Sequence, residues 1–295
     1  TGLDGIARRD TDYHHIKQQL DGINTLYARL KLGDEQAKAG TGPPVLLLGF
    51  DTQDLGKCIV SFDNPDTADN VVTFVPGFGT TQAGNKLNMQ RAELLGDTSR
   101  RLARDQTTAS IYWYDYRPPQ VGNFHRTMFE GLADQAIQPL GGFMRGLEAS
   151  RTAPKPAHTT LMAHSYGSLA AGKTAVEYPK LADDFILLGS PGVSVDHARD
   201  LGVHPSHVFV GAAADDPVAR WLPPRDPREL LEAGPTPDLI FGEDGPFGTK
   251  PISPDFGAQV FYTESNGHGG YWNRFSKSME NLGRITVVGQ EPQAK

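Results

Sequence analysis

The sequence predicts an α/β fold, a mostly parallel sheet of about eight strands with helices on both faces. Three observations predict it. Short apolar runs such as "VVTFV" (71–75), "TTLMA" (159–163) and "FILLG" (185–189) alternate with longer stretches of helical spacing, the pattern of strand–helix–strand crossover units. Several of these runs are continuously apolar rather than apolar at every second residue, as strands are when both faces of a parallel sheet are covered. The first two runs, "VLLLGF" (45–50) and "CIVSF" (58–62), are joined by a short polar Asp/Gly loop, so the sheet begins with an antiparallel pair.

The elements run in order. Residues 1–32 place Ile16, Leu20, Ile23, Leu26, Tyr27 and Leu30 at helical spacing among polar neighbours, which predicts an amphipathic helix packed on the domain beyond it. Residues 1–40 are accordingly read as a helical extension and 41–295 as the main domain. After the turn "AGTGPP" the antiparallel pair leads into "VVTFV". Next come a helix over 86–104, "SIYWY" (110–114), a helix over 126–149, "TTLMA", and a helix over 167–178. "FILLG", "HVFVG" (207–211) and "AQVFYT" (258–263) complete the strands, and a helix from Tyr271 to Leu282 closes the pattern. Between Trp221 and Asp255 the chain is rich in Pro and Gly, with one short helical segment near Glu229–Glu232. A long excursion of this kind, about 219–257, reads as a lid or pocket wall, a Pro/Gly-rich cap insertion.

Composition excludes several function classes. The net charge of −7, with the 28 Lys and Arg scattered, leaves no basic footprint for nucleic acid. The single cysteine, Cys58, permits no intrachain disulfide and no Cys-based zinc site. His14-His15 and His204-x-x-His207 lack carboxylate or thiolate partners at useful spacing, so no metal is expected. Gly79 to Lys86 has the glycine spacing of a phosphate-binding loop, but Asn85 stands where the lysine belongs, so no nucleotide and no other organic cofactor is expected. No apolar run reaches the roughly 18 residues that span a bilayer, and the first residues show no signal-peptide pattern. The chain begins with Thr1 and reads as a trimmed or mature form. Its compartment, cytoplasmic or secreted, and its oligomeric state stay open.

Chemistry is expected just beyond the carboxyl ends of the parallel strands. Ser165 holds such a position in "LMAHSYGSLAAG" (161–172). A serine there is exposed only if the chain reverses sharply from strand to helix, which requires small residues two before and two after it; Ala163 and Gly167 meet that requirement. Because a serine hydroxyl is a weak nucleophile, it needs an imidazole, a carboxylate to orient that imidazole, and amide donors for an oxyanion. "HVFVGAAADDPVAR" supplies Asp216, preferred because Pro217 takes the chain away from the sheet, with Asp215 as the alternative acid. "TESNGHGGYW" supplies His268 between Gly267 and Gly269, after the last strand. "VVTFVPGFGTT" supplies a glycine turn, and the backbone amides of Phe78 and Tyr166 are the expected oxyanion donors.

In that order "AHSYGS", "LLGSPGV", "DDPVA" and "GHGGYW" resemble an actinobacterial α/β-hydrolase family of unknown function, within an α/β-hydrolase fold running from about Val45 to the C-terminal helix. The resemblance implies a Ser165–Asp216–His268 triad and hydrolase chemistry, without a substrate. Ala163 departs from the usual glycine by one methyl. Tyr114, Tyr116 and Arg117 after the 110–114 strand are expected to line the pocket, with His164, Phe78, Tyr166, Tyr271 and Trp272. Such an aromatic wall favours an apolar acyl or aromatic substrate over a highly charged one, and the expected partner is a small-molecule ester or acyl compound. Amide or peptide hydrolysis by the same triad, and a non-catalytic binding module of the same fold, are the alternatives.

Overall fold

The computed structural model describes residues 2–54, 56–120, 130–220, 244–245, 247–264, 267–287, 289 and 291–294. Its main sheet contains β1 (Val45–Asp51), β2 (Lys57–Phe62), β3 (Asn70–Val75), β4 (Thr108–Tyr114), β5 (His158–His164), β6 (Asp184–Leu188), β7 (Val208–Gly211) and β10 (Gln259–Val260). They lie side by side in the order β1-β2-β4-β3-β5-β6-β7-β10. The β1/β2 and β2/β4 pairs are antiparallel, and the remaining pairs are parallel. Thus β2 leads into β3 in sequence but pairs with β4 in space.

Period-two alternation sends successive side chains to opposite faces, and here both faces are buried. Val71, Ile111, Leu161 and Phe185 join one core, and Val72, Tyr112, Met162 and Ile186 join the other. The first core is closed by α3 (Asp134–Ser150) and α4 (Gly167–Glu177), the second by α2 (Asn85–Leu102) and α6 (Lys277–Thr286). Two-sided burial is why the runs read as continuously apolar. Cys58 lies in the second core, where its sulfur accepts a hydrogen bond from Asn85 Nδ2 at 3.2 Å. Burial pushes its thiol up to about 12.

Four expectations are corrected. The helix α1 (Gly2–Lys38) does not pack through its Ile16, Leu20 and Tyr27 row, which is exposed. It meets the body through Gly22, Leu26 and Gly33. A Cβ at Gly22 would stand 2.6 Å from the Gln82 backbone, and one at Gly33 2.4 Å from Val45; approach this close outweighs the apolar row. The last strand is only Gln259–Val260, at the sheet edge; Phe261 still donates its N–H to the Val210 carbonyl at 3.1 Å and also bridges Ala294. The closing helix is split into a 3₁₀ turn, Gly270–Trp272, and α6, since Phe275 adopts φ +65° and Ser276 caps the new start by accepting the Met279 N–H at 3.1 Å. The third helix begins at Asp134 after a 3₁₀ turn at Glu130–Leu132; the expected start at 126–129 lies outside the described residues.

Of the expected cap, 221–243 and 246, including the Glu229–Glu232 segment, lie outside the described residues. Its described parts are the single turn α5 (Pro217–Arg220), a small hairpin of β8 (Asp244–Gly245) and β9 (Gly248–Thr249), and a 3₁₀ turn at Pro254–Phe256. Among the described residues no helix is long and apolar enough to cross a membrane.

At the amino ends of β5, β6 and β7 the buried Asp184 carboxylate accepts from His158 Nε2 at 2.8 Å and is 2.7 Å from His207 Nδ1. Burial of the His158 ring opposes its charged form, but the hydrogen bond and charge of Asp184, with Asp183 behind it, outweigh burial and raise its pKa. A raised folded-state value contributes stability that is fully present below the unfolded pKa of about 6.5 and lost as pH rises through the folded value. The denaturation free-energy difference between wild type and Asp184→Asn should therefore shrink over that rise. A second expectation concerns packing. A Cβ at Gly172 of α4 would stand 2.1 Å from the Val193 carbonyl oxygen, whereas one at Gly142 of α3 meets nothing within 4 Å. Chemical denaturation should show Gly172→Ala destabilised by about 1–3 kcal/mol and Gly142→Ala unchanged or stabilised by up to about 1 kcal/mol.

Candidate active site

β5 ends at His164 and α4 begins at Gly167, which leaves two residues to reverse the chain. Ser165 makes the reversal with φ +58°, a left-handed conformation costly for a residue with a Cβ. Hydrogen bonds hold it there. Its N–H donates to the Leu188 carbonyl at 2.9 Å, and its carbonyl accepts from the Ser168 N–H at 2.9 Å and the Ser168 hydroxyl at 2.5 Å. The loop after β3 presses against this turn. A Cβ at Gly77 would lie 2.6 Å from the His164 carbonyl oxygen and 2.8 Å from Ser165 Cβ, so only glycine fits. The loop is fixed by the Thr80 hydroxyl donating to the Gly77 carbonyl at 2.7 Å and by the Gly79 N–H donating to the Pro119 carbonyl at 2.9 Å. The Gly79 amide is thereby spent, and Phe78 and Tyr166 flank a cavity of about 570 Å³ into which Ser165 also faces.

His268 lines the same cavity. Its Nδ1 lies 2.9 and 3.0 Å from the two Asp216 carboxylate oxygens. A carboxylate only accepts, so Nδ1 carries the proton and Nε2 is the free basic nitrogen. Asp216 is fully buried between β7 and α5, where it also accepts from the Tyr271 hydroxyl and from the Val218 and Ala219 N–H groups at 2.9 and 3.3 Å. Burial works against its charge, but the hydrogen bonds from His268, Tyr271 and Ala219 outweigh burial and hold its pKa below the ordinary carboxylate value. Gly189 lies over this pair at φ +54°, where a Cβ would stand 2.7 Å from Asp216 Oδ2 and 3.0 Å from His268 Nδ1.

His164 packs against His268. Its Nε2 donates to the His268 carbonyl at 2.8 Å, its ring centroid lies 4.6 Å from that of His268, and its ring meets Trp272 edge-on. Burial, reinforced by His268 and Arg91, pushes its pKa down to about 3, so it is neutral.

The structure brings together Ser165, Asp216, His268, Phe78, Tyr166 and His164. Asp215 is not joined to the imidazole; its Oδ1 accepts the Gly267 N–H at 2.8 Å and so pins the loop that carries His268. Tyr114, Tyr116, Tyr271 and Trp272 do not line the cavity. The Tyr114 and Tyr116 hydroxyls donate to the Thr80 and Pro76 carbonyls, at 3.1 and 2.6 Å, and brace the β3 loop from beneath. Arg117 pairs with Asp54. Tyr271 serves Asp216, and Trp272 lies under Arg91. Sequence reasoning missed Leu87, Asn88 and Arg91 of α2, together with Pro191, Val218 and Phe247, which complete the wall. The signal available was spacing: 87, 88 and 91 share the helix face that comes after the glycine turn.

A family model described as alpha/beta hydrolase matches residues 51–226, more than half of the chain. The uncharacterized protein Rv2079 of Mycobacterium tuberculosis (strain ATCC 25618 / H37Rv) is 27% identical over 256 residues, covering 82% of this chain and 39% of the relative. The uncharacterized protein Rv0963c of the same strain is 37% identical over 115 residues, covering 39% of this chain and 42% of the relative. The chain thus spans about two fifths of the length of the curated relatives it matches. Among solved structures, that of esterase PE8 superposes with a TM-score of 0.41 at 18% identity, covering 68% of this chain and 86% of that one. With a mostly parallel eight-stranded sheet and a family match running from the first strand to beyond Asp216, the chain belongs to the α/β-hydrolase family.

Proposed function

We propose that the protein is a serine hydrolase that cleaves a carboxylic ester through an acyl-enzyme. The observation that carries this reading is the buried Asp216–His268 pair opening onto the same cavity as Ser165, a residue held at positive φ on a strand-to-helix turn. His268 Nε2 takes the Ser165 hydroxyl proton as Oγ attacks the ester carbonyl. The Phe78 and Tyr166 amides receive the oxyanion, and Asp216 holds the imidazole and stabilises its cationic form. Collapse of the tetrahedral intermediate breaks the ester C–O bond, and His268 returns the proton to the departing alcohol. A water, deprotonated by the same nitrogen, then releases the acid and restores Ser165. Leu87, Val218 and Phe247 provide apolar wall, suited to a small substrate with an apolar chain. No step requires a metal or organic cofactor.

A fluorophosphonate probe should label the wild type and not Ser165→Ala; a folded wild type that stays unlabelled would refute the reading. With p-nitrophenyl esters, Asp216→Asn should lower kcat by roughly 10⁴. Asp215→Asn should stay near wild type, because its amide oxygen still accepts the Gly267 N–H. Gly189→Ala should lower kcat/KM by about 10² or more through displacement of His268, although it alters no reacting group.

A further inference from the structure

Of the described residues that line the Ser165 cavity, Arg91 alone is a Lys, Arg, Asp or Glu. Its guanidinium carbon stands 4.2 Å above the Trp272 ring, and Nη1 donates to Asn88 Oδ1 at 3.1 Å. Both contacts hold the group in place and neither cancels its charge. No described carboxylate pairs with it, and Asp216, the buried acid of the site, is committed to His268 and Tyr271. Partial burial pushes Arg91 down to about 10, so at neutral pH it is a partly desolvated cation to which no described carboxylate is paired. Such a group is costly to a fold, and packing on Trp272 alone could be met by an uncharged chain. Its position is specific to the chemistry: a Cβ at Gly269, next to His268, would lie 3.8 Å from Arg91 Nη2.

We propose that Arg91 is the anion-recognition group of this site, and that the substrate is an ester bearing a carboxylate a few carbons from the scissile carbonyl. This rests on the assignment of Ser165 as the nucleophile of an ester hydrolase. A planar guanidinium matches a carboxylate through two parallel N–H donors. Phe78, Leu87 and Phe247 accommodate the carbons between the two groups. The substrate carboxylate thereby gives Arg91 the anionic partner that no described residue supplies, and its distance from the ester sets which carbonyl reaches Ser165.

The test compares matched pairs in which a methyl replaces the carboxylate. On the acyl side the pair is monomethyl glutarate and methyl pentanoate; on the alcohol side it is 4-acetoxybenzoate and 4-methylphenyl acetate. Binding to Ser165→Ala protein, measured by calorimetry, should favour the charged member of at least one pair by roughly tenfold to a hundredfold, and the pair that discriminates tells which side carries the anion. The ratio should fall to near unity in Ser165→Ala/Arg91→Gln and recover in part in Ser165→Ala/Arg91→Lys, a pattern that a purely structural clamp on Trp272 would not produce. Equal binding within both pairs, or a preference that survives Arg91→Gln, overturns the proposal. Wild-type turnover separates the two readings. Hydrolysis of all four esters without preference retains the hydrolase and removes the anion site, whereas a binding preference with no Ser165-dependent hydrolysis retains the anion site and removes the hydrolase.

Discussion

The Asp216 carboxylate, with no access to solvent, is the constraint on which the carboxyl end of the sheet depends. An ionised group in that position is tolerable only if nearly all its lone pairs are used. The donors come from three places: His268 from the glycine-flanked loop, Tyr271 from the 3₁₀ turn just beyond it, and two backbone amides from α5. One charge therefore fixes the relative placement of segments more than fifty residues apart in the chain. The same demand explains why Tyr271 faces inward instead of into the cavity. Burial and the adjacent carboxylate both raise its pKa, so it remains a donor throughout the neutral range.

Around that charge the site is assembled from loops whose positions are set by apolar layers. Because both faces of the central strands are buried, chemistry that must meet a ligand concentrates where β3, β5, β6 and β7 end. Contacts at those ends are short. The β3 loop touches the Ser165 turn through Gly77, and the turn after β6 touches the Asp216–His268 pair through Gly189. Tyr114 and Tyr116, from the end of β4 and the turn beyond it, hold the β3 loop by its carbonyls. Residues that never meet a ligand thus determine where a ligand can lie.

Much of this was legible in the sequence. The sheet and its crossover helices emerge from continuous apolar runs, and Ser165, Asp216 and His268 stand out by residue type, small neighbours and chain order. Less legible was whatever depends on side-chain direction. Tyr114, Tyr271 and Trp272 sit after strand ends or flank His268, as pocket residues do, yet their hydroxyls and rings face inward because unsatisfied carbonyls, the Asp216 charge and Arg91 attract them. The face of α1 was read only in part: Leu26 and Leu30 of the apolar row do pack on the second core, whereas Ile16, Leu20 and Tyr27 are exposed and close approach falls at Gly22 and Gly33. Arg91 was overlooked because a lone arginine in a helix is usually solvated, and its distance from every described carboxylate is a property of three-dimensional surroundings.

Cys58 has a practical consequence. It is the single cysteine of the chain, its sulfur is enclosed in the second core, and its thiol is raised far from the thiolate that alkylating reagents require. Toward maleimides under native conditions the folded molecule should behave as if cysteine-free. A cysteine introduced on the surface would then be a unique attachment point for a spin label or fluorophore, without the usual need to remove the natural thiol and disturb Asn85.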